Sequence, residues 1–284
     1  MPTKNTLIRP PVAIGRFYPQ NKDQLENVVP VYLRAGQAVK KPPQQEPWAY
    51  MLPHAGYMYC GTVLGATLAY AHLPETLIIL CPNHTGRGKP LGVWPEGAWQ
   101  MPLGLFPIAE DIVDLLTEGG SFAKDTLSHA NEHSIEVLLP FCYYACGEKC
   151  PSIVPICVGT HSSPLLHKAA EELCFVLTTL AKQGRSVGVI VSSDMNHYES
   201  HDVCMAKDAR ALERIQAADA DGLLDVCAKD NITMCGAAPM ALLLMSALGS
   251  TLTTTIVAHT SSAEASGNYR QTVGYAGLHI HKAS

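Results

Sequence analysis

Runs of consecutive apolar residues alternate along this chain with segments of helical periodicity. The runs WAYMLP, TLIILCP, SIVPICVGT and SVGVIVSSD have few polar interruptions, and most are rich in Val, Ile and Leu. Such runs are typical of strands that are buried on both faces of a sheet. Helical patterns such as GTVLGATLAYA and PLLHKAAEELCFVLTTLAKQG lie between them. The pattern predicts a single α/β domain over residues 1–284, with a mixed, largely parallel central sheet and helices on both faces.

Composition and charge exclude several classes of protein. Hydrophobic residues make up 47% of the chain and charged residues 16%, which indicates a globular protein. A formal net charge of -5 gives no reason to expect a nucleic-acid partner. The sequence has no apolar run of the roughly 18 residues that a membrane-spanning helix needs, and the MPTKNTLIRPP start lacks the apolar part of a signal peptide. We therefore expect a cytoplasmic protein without a membrane partner.

Polar residues follow four of the predicted strands. Because loops at the carboxyl ends of parallel strands converge, ligands of open α/β sheets bind there. A group of imidazoles in such a place favours a first-row transition metal such as iron, copper or zinc. Local signatures such as H-E-x-x-H, C-x-x-C, G-x-S-x-G, the P-loop and G-x-G-x-x-G are not found, which argues against the commonest metalloprotease, hydrolase and nucleotide-binding classes. The strand-end residues are His54, Asn83, His84, His161, Asp194, Asn196 and His197.

Two further groups of residues have alternative interpretations. Cys142, Cys146 and Cys150 are evenly spaced and could be ligands of an iron-sulfur cluster, but the spacing favours a cysteine-lined helical packing face. The other seven of the ten cysteines are scattered, and we expect mostly buried thiols rather than disulfides. In HANEHSIEVLLPF, His133 and Glu136 share a face at a predicted helix start. They could support a metal site, or Glu136 and the nearby Glu132 could simply favour the helix N-terminus.

Eight motifs spread over nearly the whole chain resemble those of the Memo family, also called AmmeMemoRadiSam system protein B. They are, in order, RPPVAIGRFYP, LPHAGYMYCG, CPNHTG, NEHSIEVLLPF, IVPICVGT, SSDMNHY, TMCGAAP and TVGYA. Asn196 is one of the small departures, because the family pattern has a serine there. The resemblance implies the fold of class III extradiol ring-cleaving dioxygenases, which use non-haem iron(II).

The same resemblance implies roles for five residues. His54, His84 and Cys235 would be metal ligands, His197 would stand beside the metal as an acid/base group, and Asp194 would help form the pocket. Since Cys235 precedes a predicted helix at 236–248, we also expect it to be the most reactive thiol in the absence of metal.

A thiolate in place of the glutamate of the dioxygenases leaves two hypotheses about function. The first is a redox enzyme that uses iron (Fe2+) or copper, with zinc as a further candidate, to oxidise a small substrate. The second is a non-catalytic protein that binds a peptide or partner in the strand-end pocket, or holds a redox metal. The family resemblance also suggests a functional association with a radical-SAM protein.

Overall fold

The structure is a computed structural model, and it describes residues 6–283. The first five residues, MPTKN, which belong to the stretch expected not to be a signal peptide, lie outside the described residues. The strands are β1 Ile8–Arg9, β2 Ala49–Leu52, β3 Thr76–Pro82, β4 Leu91–Val93, β5 Ala98–Met101, β6 Gly104–Pro107, β7 Ala123–Lys124, β8 Ser152–Val158, β9 Gly188–Ser192, β10 His197–Glu199, β11 Leu252–Ser261 and β12 Thr272–Lys282.

The helices are α1 Lys22–Val39, α2 Tyr57–Leu68, α3 Glu110–Thr117, α4 Leu139–Ala145, α5 Ser163–Lys182, α6 His201–Gln216, α7 Ala220–Lys229, α8 Ala237–Met245 and α9 Ala263–Ser266. A 3₁₀ turn at Glu136–Leu138 leads into α4. Within 6–283, no helix has both the length and the apolar character needed to cross a bilayer.

A nine-stranded sheet lies at the centre of the molecule. Its order is β10-β12-β2-β9-β3-β8-β4-β7, and β11 pairs with β12. The four central strands β2, β9, β3 and β8 are parallel. On either side, β12 is antiparallel to β2 and β4 is antiparallel to β8. The prediction of a mixed sheet with a parallel centre is therefore confirmed.

Both faces of the central strands are covered. Every residue of β2 and β9 is buried, as is every residue of β3 after its first. Helix α2 packs against β2, β11 and β12, whereas α8 packs against β3 and β9. Each fully buried Val, Leu or Ile side chain contributes about 1.5–3 kcal/mol, so the apolar runs that predict the strands also supply much of the core.

The parallel strands bring three loops to one edge of the sheet. Leu52 at the end of β2 lies beside Ser192 at the end of β9, and Leu80 near the end of β3 lies beside Val191. The segments that follow these strands carry His54, His84 and Asp194, so the expected convergence at the carboxyl ends occurs.

The stretch before α3 contains β5 and β6, which form a separate three-stranded sheet with β1. One feature differs from the sequence-based expectations. The three evenly spaced cysteines do not share one helical face. Helix α4 ends at Ala145, and Gly147 turns the chain with φ +70°, so Cys150 lies beyond the helix. All ten cysteines are free thiols and six are buried.

Candidate metal centre

His54 lies between the end of β2 and the start of α2, and its tautomer is fixed by neighbouring serines. The Ser192 hydroxyl donates to the carbonyl of Ser134 at 2.7 Å, so it accepts from His54 Nδ1, also at 2.7 Å. Nε2 of His54 therefore carries a lone pair. Gly56 has φ -60° and a Cβ there would make only ordinary contacts, so no special backbone freedom is needed to present this imidazole.

His84 is held in the same way by a buried carboxylate. Glu132 Oε1 accepts from His84 Nδ1 at 2.8 Å and Glu132 Oε2 accepts from the His84 backbone N–H at 2.7 Å. The Ser134 hydroxyl also donates to Oε1, at 2.8 Å. Glu132 is 1% exposed, so its charge is balanced almost entirely by these donors. As for His54, the arrangement leaves Nε2 of the imidazole free.

His133 completes a triplet of imidazoles with His54 and His84. One ring nitrogen from each of the three residues lies within 4.8 Å of the others, a spacing that could hold a metal ion. The His133 ring stacks on His84 with centroids 5.0 Å apart and meets His54 edge-on at 5.5 Å. The ring centroid of His133 also lies 4.4 Å from that of Phe17.

Cys235 approaches this triplet from the loop before α8. Its Sγ lies 3.4 Å from His54 Nε2, but it is not part of the 4.8 Å group. The thiol also accepts from the Asp194 backbone N–H at 3.3 Å. A Cβ at Gly236 would lie 2.3 Å from Ser193 Cβ, so a glycine is required for this loop to come so close to β9.

The expected reactivity of Cys235 has no support in its surroundings. Burial raises the pKa of the Cys235 thiol well above its usual range, and the Asp194 carboxylate raises it further. The expectation of a lowered pKa was wrong, because burial and the Asp194 carboxylate, 41 residues away in sequence, act on this thiol in the opposite direction. Without metal this thiol is protonated and a poor nucleophile.

Asp194 connects the strand-end loops. Its Oδ1 accepts from the His54 backbone N–H at 2.8 Å, which fixes the loop that carries that imidazole. Burial raises the pKa of Asp194 to about 7, against the opposing effect of the His54 N–H. The carboxyl group is therefore in a position to orient the loop that carries His54.

His197 begins β10, on the side of the sheet formed by β12. Its Nδ1 lies 2.9 Å from the Thr233 carbonyl, an acceptor, so Nδ1 carries the proton and Nε2 is free. The His197 backbone N–H donates to Thr233 Oγ1 at 2.8 Å. Asn196 supports this arrangement, since its Oδ1 accepts from Thr233 N at 2.9 Å. Thr233 lies two residues before Cys235, so the His197 and Cys235 loops are joined.

Three of the four imidazoles at this site have a lowered pKa and are neutral at neutral pH. Burial lowers the pKa of His54, His133 and His197. Burial also acts to lower the pKa of His84, but the hydrogen bond and charge of Glu132 outweigh it and raise this pKa. Burial acts to raise the pKa of Glu132, yet His84 and the other donors lower it to about 2. Neutral imidazoles are the form that binds metals.

The remaining sequence candidates lie elsewhere. His161 is exposed after β8 and outside the triplet. Asn83 Oδ1 accepts from Thr85 N at 3.1 Å and so shapes the loop that carries His84. Glu136 binds the N-terminal segment and not the triplet. In HANEHSIEVLLPF, the supporting role was expected of His133 and Glu136, and the helix N-terminus of Glu132 and Glu136. In the structure it is Glu132 that holds His84, whereas His133 lies in the triplet as a candidate ligand.

Comparison with known proteins identifies the family. The family model described as Memo-like protein matches residues 9–279. The chain belongs to the Memo family. A MEMO1 family protein of Thermotoga neapolitana is 39% identical over 280 residues, covering 95% of this chain and 98% of the relative. MEMO1 family proteins of Desulfurococcus amylolyticus and Methanopyrus kandleri are each 35% identical, with the same coverage. These matches confirm the resemblance given by the sequence motifs.

Proposed function

We propose that this Memo family protein binds iron(II) or copper through His54, His84 and Cys235 and uses it for dioxygenase-like oxidation of a small substrate. The observation that carries the proposal is the fixed tautomer of two imidazoles. Ser192 accepts a hydrogen bond from Nδ1 of His54, and Glu132 accepts one from Nδ1 of His84. The Nε2 atom of each imidazole therefore keeps a lone pair that can bind a metal.

The donor chemistry favours a metal of intermediate or soft character. Imidazole suits iron, copper and zinc, and a thiol ligand disfavours magnesium and calcium. When bound, iron or copper would supply redox chemistry with an oxidant such as dioxygen, whereas zinc would not. The Cys235 thiol has to lose its proton to become a ligand, so metal binding should release a proton.

His197 is the proposed acid/base group. Its Nδ1–H donates to Thr233, so its Nε2 can accept a proton from a substrate bound near the triplet. A lowered pKa keeps this nitrogen unprotonated at neutral pH and ready to act as a base. Asp194 is proposed to act with it by holding the His54 loop and lining the pocket.

A second function is favoured by the number of possible metal ligands at the site. If His133 and Cys235 both joined His54 and His84, four protein ligands would close the site, as in structural metal centres. The protein would then hold a metal, or bind a peptide or partner at the strand ends, without catalysis. A cytoplasmic location and an association with a radical-SAM protein remain part of either proposal.

A His197→Gln substitution separates these two functions. We expect unchanged iron content, because the proposed ligands remain, and a loss of oxygen-dependent turnover of about a hundredfold or more, because the titratable nitrogen is gone. Iron content and oxygen uptake with a panel of catechols are measured on one preparation purified without oxygen. His161→Gln, at an exposed strand end outside the triplet, is the matched control.

Two outcomes would count against the catalytic proposal. Retained metal with undiminished turnover would remove the acid/base role of His197. Loss of metal would make His197 a ligand and favour the metal-holding function.

A Glu132→Gln substitution tests how the site is supported. The amide nitrogen of glutamine cannot accept a hydrogen bond, so one of the donors from His84 or Ser134 loses its partner. We expect iron(II) affinity to fall about 10- to 100-fold. Competition with a chromogenic chelator measures it, with Glu213→Gln on the exposed face of α6 as control. Equal affinities in the two variants would show that Glu132 does not orient His84.

A further inference from the structure

Tyr198, next to His197, has a backbone conformation that a tyrosine rarely adopts. Its φ is +62°, in the left-handed region. Three other non-glycine residues of the described chain have positive φ, namely Glu148, Ala218 and Asn231. Each of those follows the end of a helix within three residues, where left-handed conformation is common. Tyr198 instead lies within strand β10, so its conformation has another cause.

The residues on either side of Tyr198 are fixed, and this imposes the conformation. His197 pairs with Val273 of β12 and Glu199 with Thr272, so Tyr198 is the extra residue of a β-bulge. His197 is bound to Thr233, and Glu199 accepts from Asn196 Nδ2 at 2.6 Å. Bulges near functional sites redirect side chains, and a strained residue persists only where its surroundings impose it.

The bulge directs a large aromatic ring into solvent beside the candidate site. The Tyr198 side chain is 72% exposed, more than the other exposed aromatics Phe175 and Tyr269. Its ring centroid lies 5.6 Å from that of His197, with the planes tilted by 49°. His197 is bound to Thr233, two residues before Cys235, whose Sγ lies 3.4 Å from His54 Nε2. A strained and exposed aromatic residue is unfavourable for folding, so its place next to His197, on a loop joined to the candidate metal centre, points to a role in binding.

We propose that Tyr198 is a specificity-determining residue that stacks on a small aromatic ligand whose oxygen atoms reach the histidine triplet. The inference rests on the proposed function for the site and adds to it the residue that recognises the ligand. Offset stacking on an aromatic ring strengthens binding beyond the area that it buries. The adjacent His197 is then in place to exchange a proton with the same ligand.

Stability and binding together test this role. Tyr198→Gly and Tyr198→Ala both remove the ring, but only glycine relieves the positive φ, so the glycine variant should unfold about 2 °C or more above the alanine variant. Binding of 4-nitrocatechol to the iron(II)-loaded protein is followed by visible absorbance under argon. We expect its Kd to rise about five- to tenfold in both variants and to stay within about twofold in Tyr198→Phe.

Two controls separate strain from ligand recognition. Ala218→Gly relieves a positive φ at a helix end and Phe175→Ala removes an exposed ring from α5, and neither should change the Kd. An unchanged Kd in Tyr198→Gly, a Kd that rises equally in Tyr198→Phe, or no binding by the wild-type protein would overturn the inference. Tight binding that depends on Tyr198, without oxygen uptake, would uphold it while contradicting the proposed catalytic function.

Discussion

A His84→Ala variant is expected to bind iron(II) at least about a hundredfold more weakly than the wild-type protein. The Nδ1 of His84 is hydrogen-bonded to Glu132, which leaves its Nε2 as a candidate metal ligand. Changes in residues that only support a ligand commonly cost 10- to 100-fold, so removal of a ligand should reach or exceed the upper end of that range. His84 is partly exposed in a loop after β3, so thermal unfolding should change little.

Competition with a chromogenic chelator measures the iron(II) affinity of His84→Ala and also identifies the third ligand. We expect Cys235→Ala to weaken iron(II) binding more than His133→Ala, and wild-type binding to release a proton that Cys235→Ala does not release. The opposite order would assign the third position to His133. His161→Ala serves as the control for loss of a surface imidazole. Unchanged affinity in His84→Ala would remove the assignment of this site altogether.

The sequence predicts the part of the site that depends on the parallel strands. His54 and His84 follow apolar runs, and because β2, β9 and β3 are parallel, their carboxyl ends meet at one edge. His161 follows the same kind of run but lies exposed outside the triplet. The position of a strand end is thus set by local pattern, whereas the direction of the loop beyond it depends on partners far away in the sequence.

The roles of Glu132 and His133 could not be predicted for that reason. Local pattern assigns an acidic residue before a helix to the helix N-terminus, but Glu132 is buried and accepts from His84, 48 residues earlier in the chain. His133 does not follow a long apolar run, and the turn that carries it is held by Glu132, which accepts from its backbone N–H at 3.0 Å. Neither the bond from His84 nor this turn gives a periodic signal in the sequence.

Cys235 gives the opposite case, in which a local argument leads to a wrong result. A position before α8 favours a thiolate, but burial and the Asp194 carboxylate of another loop raise the thiol pKa. The departure at position 196 is explained in the same terms. Asn196 binds Glu199 through Nδ2 and Thr233 through Oδ1, which a serine could not do simultaneously at this reach. At both positions a contact with a residue far away in the sequence, Asp194 for Cys235 and Thr233 for Asn196, takes part in deciding the chemistry.

A Glu136→Ala substitution is expected to lower the free energy of unfolding by about 3–5 kcal/mol, because it leaves a buried guanidinium without its counter-ion. Glu136 is fully buried and accepts from Arg9 Nη1 at 2.7 Å, Ala13 N at 2.8 Å and Tyr18 OH at 2.7 Å. Arg9 is 1% exposed and lies 4.1 Å over the ring of Trp99. Removal of the carboxylate would take away the charged acceptor that these buried donors share, and Arg9 would keep only uncharged carbonyl acceptors such as His129 O.

The loss should extend from stability to the metal centre. The segment that Glu136 anchors carries Phe17, whose ring packs on His133, so loosening it removes one side of the triplet. Urea unfolding measures the stability, and the iron(II) affinity of the folded variant is measured separately at low temperature. Glu213→Ala on the exposed face of α6 should change stability by less than about 0.5 kcal/mol. A cost below about 1 kcal/mol for Glu136→Ala would mean that water or another donor arrangement replaces the carboxylate. A full cost with unchanged iron(II) affinity would mean that the N-terminal segment stabilises the fold without positioning His133.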